Sequence, residues 1–303
     1  MKTSDFAPQR AFRIFTIVFV VAGGHHAFAQ TAPVNPIKLD KLLTGVGAIR
    51  LDASVAYSNG SFALNPFGTG PGQMPPALAN ASINTDSFAS NLALSYGLSK
   101  SLQLSASTAY INETSSSPTF PELGKDRNSS LGGLNLSLSY QLLHDAASKV
   151  SVVAFAGLDV AREVRVAEIP NSSKRVSGKS GSVGMTINKV VDPIVFSLSA
   201  AFQKNISDTL AGSRVELPNA FTISPSISFQ VNERVGLGWG AHVSRFGDYR
   251  VGGSVISAGQ TTTSFDFMTT YQLSKDSGLA ATFNFPTGRN GPSTLAVRWI
   301  EDF

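Results

Sequence analysis

The chain has 303 residues and a formal net charge of +4, with 42% hydrophobic and only 15% charged residues. That composition is too apolar for disorder, and a charged fraction well under the usual ~25% leaves no basic surface for nucleic acid. With no cysteine, disulfides and thiolate metal sites are excluded as well.

The first predicted element is an export signal. Lys2, Arg10 and Arg13 precede an apolar core from Phe12 to about Ala22, and Ala27, Phe28 and Ala29 form a small-x-small cleavage site before Gln30. The apolar run is well short of the roughly 20 residues a spanning helix needs. Residues 1–29 are therefore expected to be removed, and His25 and His26 leave with them. The stretch QTAPVNPIKLDKLLTG, residues 30–45, is expected to be a short periplasmic or plug segment, with Leu39, Leu42 and Leu43 on one helical turn.

From residue 46 to 303 the dominant period is two. Ile49, Leu51, Ala53, Val55 and Tyr57 share one face, and Arg50, Asp52, Ser54 and Ala56 share the other. The alternation returns in Leu92, Leu94 and Tyr96 against Asn91 and Ser95, and in Leu134, Leu136, Leu138 and Tyr140 against Asn135, Ser137 and Ser139. It continues in Phe196, Leu198 and Phe202 against Ser197 and Ser199, and in Val235, Leu237 and Trp239 against Gly236, Gly238 and Gly240. Around residues 150–160 and 182–190 the parity blurs, because Val153 and Phe155 stand on the face that should be polar.

The connections alternate in length. Tight turns are predicted at Ser99 to Ser101, His144 to Lys149, Asp192 to Pro193, Asn232 to Arg234 and Ser274 to Ser277, and between them fall long loops rich in Gly, Pro, Ser and Asn. Short turns at one rim and long loops at the other define an all-β fold: a transmembrane antiparallel up-and-down β-barrel of about twelve strands, apolar outside and polar inside. The short turns are then periplasmic and the long loops extracellular. Tyr96, Tyr140 and Tyr271 stand on the apolar face just before short turns, and Tyr57 and Tyr110 on that face just before long loops. Amphipathic rings collect at bilayer interfaces, so these five tyrosines are expected to form two aromatic girdles. The last predicted strand, STLAVRWIEDF, puts Leu295, Val297, Trp299 and Phe303 on one face. Trp299 and the terminal Phe303 resemble the C-terminal assembly signal of bacterial outer-membrane barrels.

LALSYGLSKSLQLSASTAY, SLGGLNLSLSYQLL, NKVVDPIVFSLSAAFQ and ISPSISFQVNERVGLGWG resemble the recurring hairpins of an outer-membrane transporter family. That family includes barrels assigned to the meta-pathway of phenol degradation and the export channel for functional amyloid. The resemblance runs from about residue 42 to 303 and implies a pore whose cargo differs between members. An outer-membrane barrel is expected to have outer-membrane lipid, lipopolysaccharide and the barrel-assembly machinery as partners, and it is compatible with a homo-oligomer.

Candidate chemistry is sparse. His242 and Ser244 lie two residues apart, as in outer-membrane phospholipases, which gives an alternative reading as a lipid hydrolase. Arg245 and Phe246 stand where that motif has Asn-Gly, and strand parity turns His242 and Ser244 toward the lumen rather than toward lipid. Gly178, Lys179 and Ser180 lack the upstream glycine of a phosphate loop. His144 and His242 are the only histidines left after cleavage and have no metal-ligand spacing, so neither metal nor cofactor is implied.

The inward positions are mostly Ser, Thr, Asn, Gln, Ala and Gly, which leaves room for a narrow pore, since barrels of about 16 to 18 strands are needed for a wide one. The function expected is therefore an outer-membrane channel or transporter for small molecules or an unfolded secreted polypeptide. A structural or adhesive barrel acting through its extracellular loops is the other alternative. The expected pore-lining residues are Arg50, Asp52, Asp266, Arg298 and His242. Arg50 and Arg298 are expected at similar depth on neighbouring first and last strands. Two arginines against one aspartate would then make a locally positive constriction with mild anion preference, or a salt-bridged seam that fixes the closure register.

Overall fold

A computed structural model describes residues 42–63, 82–116, 125–165, 173–176, 180–210, 212–288 and 292–303. The expected signal peptide, most of the segment 30–45 and parts of the long loops lie outside these residues. In chain order the strands are β1 (Ile49–Ala63), β2 (Ser82–Ser99), β3 (Leu102–Ser116), β4 (Lys125–Asp145), β5 (Val150–Arg165), β6 (Ser173–Val176), β7 (Ser180–Val191), β8 (Ile194–Asn205) and β9 (Asp208–Leu210). They continue as β10 (Ser213–Glu216), β11 (Ala220–Gln230), β12 (Val235–Phe246), β13 (Tyr249–Val251), β14 (Ser254–Ser257), β15 (Thr261–Gln272), β16 (Ser277–Pro286) and β17 (Ser293–Asp302).

Twelve of these close on themselves. The sheet runs β4-β3-β2-β1-β17-β16-β15-β12-β11-β8-β7-β5, and β5 pairs back onto β4, with every pairing antiparallel. Closure leaves no long exposed edge, which is why a sheet can cross lipid at all. The five short turns fall where the sequence places them, and side chains cap several. The Asp145 carboxylate accepts from the Ala147 and Ser148 amides at 2.9 and 3.3 Å, and Asn232 Oδ1 accepts from the Arg234 and Val235 amides at 2.9 Å each.

The apolar faces point outward. Leu94, Leu136, Leu198, Val243, Phe267 and Val297 are exposed, whereas Ser139, Ser151 and Ser244, of the opposite parity, are the most deeply buried side chains among the described residues. This inverts the arrangement of a soluble protein and suits a hydrocarbon solvent. The blurred parity of β5 has a packing cause. Val153 and Phe155 face inward, in register with Thr186 and Gly184, while Ala154, Ala156 and Leu158 face out. A Cβ on Gly184 would strike the Phe155 ring, so the missing side chain gives that ring a flat seat on the wall.

At the long-loop end a second sheet forms, which the sequence did not signal. Its order is β14-β13-β10-β9, so the loop between β8 and β11 is stitched to the loop between β12 and β15 through Val215↔Val251 and Glu216↔Arg250. Val215 and Tyr249 are buried there. Asp248 accepts from Arg250 at 2.8 Å and from the Gly259 amide at 2.9 Å, and the Arg250 bond, followed by that amide, holds its carboxyl below the usual range.

At the opposite rim, Leu42 packs against Val190 and Val195 of β7 and β8. Two residues on, the Thr44 amide donates to Gln103 of β3 at 2.7 Å, and Gly45 presses against Gly97 of β2, where any Cβ would collide with its carbonyl. Leu43 and Thr44 are buried. Residues 42–45 therefore run across the short-turn mouth from one part of the wall to another.

Candidate functional site

The inward side chains form three polar groups on the barrel wall. The first lies on the closure seam between β1 and β17. Arg50 Nε and Nη2 donate to Asp302 Oδ1 and Oδ2 at 2.6 and 3.2 Å, and these two residues are direct register partners. Arg298 Nε donates to both oxygens of Asp52 at 2.8 Å, and its Nη2 also bonds Asp52 Oδ2. Each pair is a forked guanidinium–carboxylate contact with both side chains roughly four-fifths buried, the geometry in which such pairs are strongest.

Two sequence expectations need correction here. Arg298 stands opposite Ser54, four positions along β1 from Arg50, so the arginines do not share a depth. Each also has its own carboxylate, because Asp302 joins Asp52. The locally positive constriction therefore disappears, since two arginines meet two aspartates. Asp302 was legible in principle, as it has the same parity as Arg298 on the last strand.

The second group crosses four strands. His242 of β12 shares Nδ1 with Ser224 Oγ of β11 at 2.7 Å and contacts Asp266 of β15 through Nε2. Asn284 Nδ2 of β16 donates to Asp266 and, at 3.0 Å, to Ser264 Oγ. The backbone explains why a side-chain bridge forms at Ser224. Pro225 has no N–H, and the alternation of the ladder aims that missing donor at β12. Paired residues accordingly skip from Ile223↔Val243 to Ser226↔Gly240, and the Ser224–His242 bond spans the gap. Ser244 bonds Thr222 at 2.9 Å, so the His242–Ser244 pair of the hydrolase alternative does not form.

A serine, histidine and aspartate in line invite comparison with a hydrolytic triad. An acyl-transfer site also needs N–H donors aimed at the developing oxyanion. The gap at Pro225 removes one backbone donor beside Ser224 and deprives the Ala241 carbonyl of its ladder partner. The third group is Asp159, which accepts from Asn135 Nδ2 at 3.1 Å and from Ser180 Oγ. It lies on β5, away from the other lumen aspartates. No cluster of three or more metal-ligating side chains occurs among the described residues.

Of the remaining expected residues, Tyr57, Tyr96, Tyr110, Tyr140 and Tyr271 all point outward and are 44–49% exposed. Tyr57 also donates to Asp86 at 2.7 Å. Trp299 points outward on β17, and Phe303 exchanges backbone hydrogen bonds with Ile49 at 2.8 and 3.2 Å, so the final residue is stitched into the seam.

Closed antiparallel wall, apolar exterior and polar interior together define a transmembrane β-barrel of the outer-membrane type. Among solved structures, the fold matches an outer-membrane channel from Pseudomonas putida F1 with a TM-score of 0.60 and 15% identity, over 85% of this chain and 96% of that one. It also matches the transport unit of the autotransporter AIDA-I from Escherichia coli with a TM-score of 0.50 and 11% identity, over 88% and 94% of the two chains. No protein-family model and no curated protein matches the chain by sequence. These likenesses establish the fold.

Proposed function

We propose that the protein is an outer-membrane channel or transporter that passes small molecules through a narrow, hydrated polar lumen. The observation that carries this reading is the inner wall itself. Its side chains are mostly small and neutral, and its arginines are matched by carboxylates within the wall. A wall so satisfied needs no packed core inside the barrel. The fold shared with the channel of Pseudomonas putida F1 supports the same reading. Residues 42–45 narrow the periplasmic mouth, which favours small solutes over an unfolded polypeptide.

The alternatives have less support. Pro225 takes away a backbone N–H beside Ser224, which weakens the hydrolase alternative. The loop sheet offers an adhesive barrel a rigid extracellular surface, but such a role does not require a polar bore. Solute-driven swelling of liposomes containing the purified barrel tests the proposal. Swelling in a small neutral sugar, and none in a large dextran, is expected; rates equal to those of empty liposomes would overturn it.

A further inference from the structure

The outer wall carries a feature unrelated to permeation. Outward residues of β8, β11 and β12 are apolar up to Phe202, Phe221 and Val243, all exposed. Just beyond this band, toward the long loops, the same face turns basic at Lys204 and Arg245. Phe221 is the register partner of both Phe202 and Arg245, so the two cations flank β11. Two strand spacings and a two-residue offset put their Cα atoms about 12 Å apart, within reach of one group held between them. Arg245 donates to Thr261 Oγ1 at 3.2 Å, and the loop acid Asp248 is hydrogen-bonded by Arg250 and attracts Arg245 only through space. On the same outward side, Asp86 lies away on β2, bonded to Tyr57 and Asn59.

Two cations above an aromatic and aliphatic surface have the layout of an amphiphile with an anionic head. At this rim that head belongs to the outer leaflet of the membrane. We propose that this face binds the phosphorylated headgroup of an outer-leaflet glycolipid of the lipid A type, with Lys204 and Arg245 on the phosphate and Phe202, Phe221 and Val243 against the acyl chains. Phosphate is the matching chemistry because both side chains donate charged hydrogen bonds, and each is strengthened beside hydrocarbon. The site is independent of the channel reading, because its residues face away from the lumen.

Native mass spectrometry of the detergent-solubilised barrel, incubated with bisphosphorylated lipid A, tests the proposal. One lipid per barrel is expected to persist, with retention falling about tenfold in the Lys204→Gln, Arg245→Gln double variant, as two charge-assisted contacts would imply. Arg234→Gln, in a short turn at the opposite rim, should retain lipid like the parent. Unaltered gel mobility before boiling would show that the double variant still folds, and a Lys204→Arg, Arg245→Lys exchange should restore most of the retention if folding is disturbed. Equal retention in the double variant, equal retention of dephosphorylated lipid A, or displacement by inorganic phosphate at matched concentration would each overturn it.

Discussion

Arg298 on the last strand grips Asp52 on the first, one pleat away from its direct register partner Ser54. The contact is diagonal, and the Arg50–Asp302 pair lies directly across the same seam. A two-residue register slip at closure keeps every apolar side chain outward; in one direction it pulls both pairs apart, and in the other it exchanges which pair is direct and which diagonal. Their geometry can therefore select among registers that the apolar pattern alone leaves equivalent.

The first prediction concerns this seam. Arg298→Gln leaves Asp52 as a largely buried carboxylate without its cation, at a cost of about 1.5–3 kcal/mol. Asp52→Asn should cost a similar amount, and the two together much less than their sum. Urea unfolding in lipid vesicles measures the coupling. Additive losses would mean that the pair contributes nothing as a unit.

The second prediction is electrical. Because Arg50 and Arg298 are each balanced by a carboxylate, Arg50→Gln with Arg298→Gln should move the pore toward cations by exposing two carboxylates, and Asp52→Asn with Asp302→Asn should move it toward anions. The reversal potential across a KCl gradient reads both shifts. Unchanged values in both double variants would remove the seam from the permeation path.

A third prediction follows from the inverted faces. Leu198 is exposed on the outer wall, whereas Ser199 faces inward and bonds Thr186 at 3.0 Å. Leu198→Arg should destabilise the barrel by about 2–4 kcal/mol if it lies at the midplane. Ser199→Arg should be tolerated better, because its charge enters a polar lumen. Equal unfolding midpoints for the two variants would contradict the assignment of faces.

The fourth prediction is a pH dependence at the β4–β5 turn. The Asp145 carboxyl is held below its usual value, chiefly by the Ser148 hydroxyl at 2.6 Å and then by the Ser148 and Ala147 amides. A depressed folded-state pKa means that its contribution is fully present above the unfolded value of about 3.9 and is lost as pH falls through the lower folded value. Asp145→Asn should therefore flatten the acid limb of a stability profile below about pH 4 while leaving the neutral region unchanged in slope. An unaltered acid limb would show that the turn does not hold this carboxylate.

Most of the wall could be read from residue parity, since lipid contact imposes a strict period of two on strands such as β4 and β8. What parity could not show is what happens between strands. Ser224, Asn284 and Asp302 drew no notice in the sequence because each is an ordinary inward polar residue, and only register brings them to His242, Asp266 and Arg50. Phe155 broke the pattern on β5 for a reason that sits on another strand, in the absent side chain of Gly184. The loop sheet was illegible because β9, β10, β13 and β14 are only three or four residues long, too short for a periodic signal, and pair across distant loops.

Single-channel recording in planar bilayers tests the central claim most directly. The mature protein should give discrete, low-conductance steps, because residues 42–45 lie across one mouth, and removal of residues 30–44 should raise the step size while the unboiled gel mobility still reports a closed barrel. A folded barrel that shows no conductance steps, with the segment present or removed, would contradict a channel.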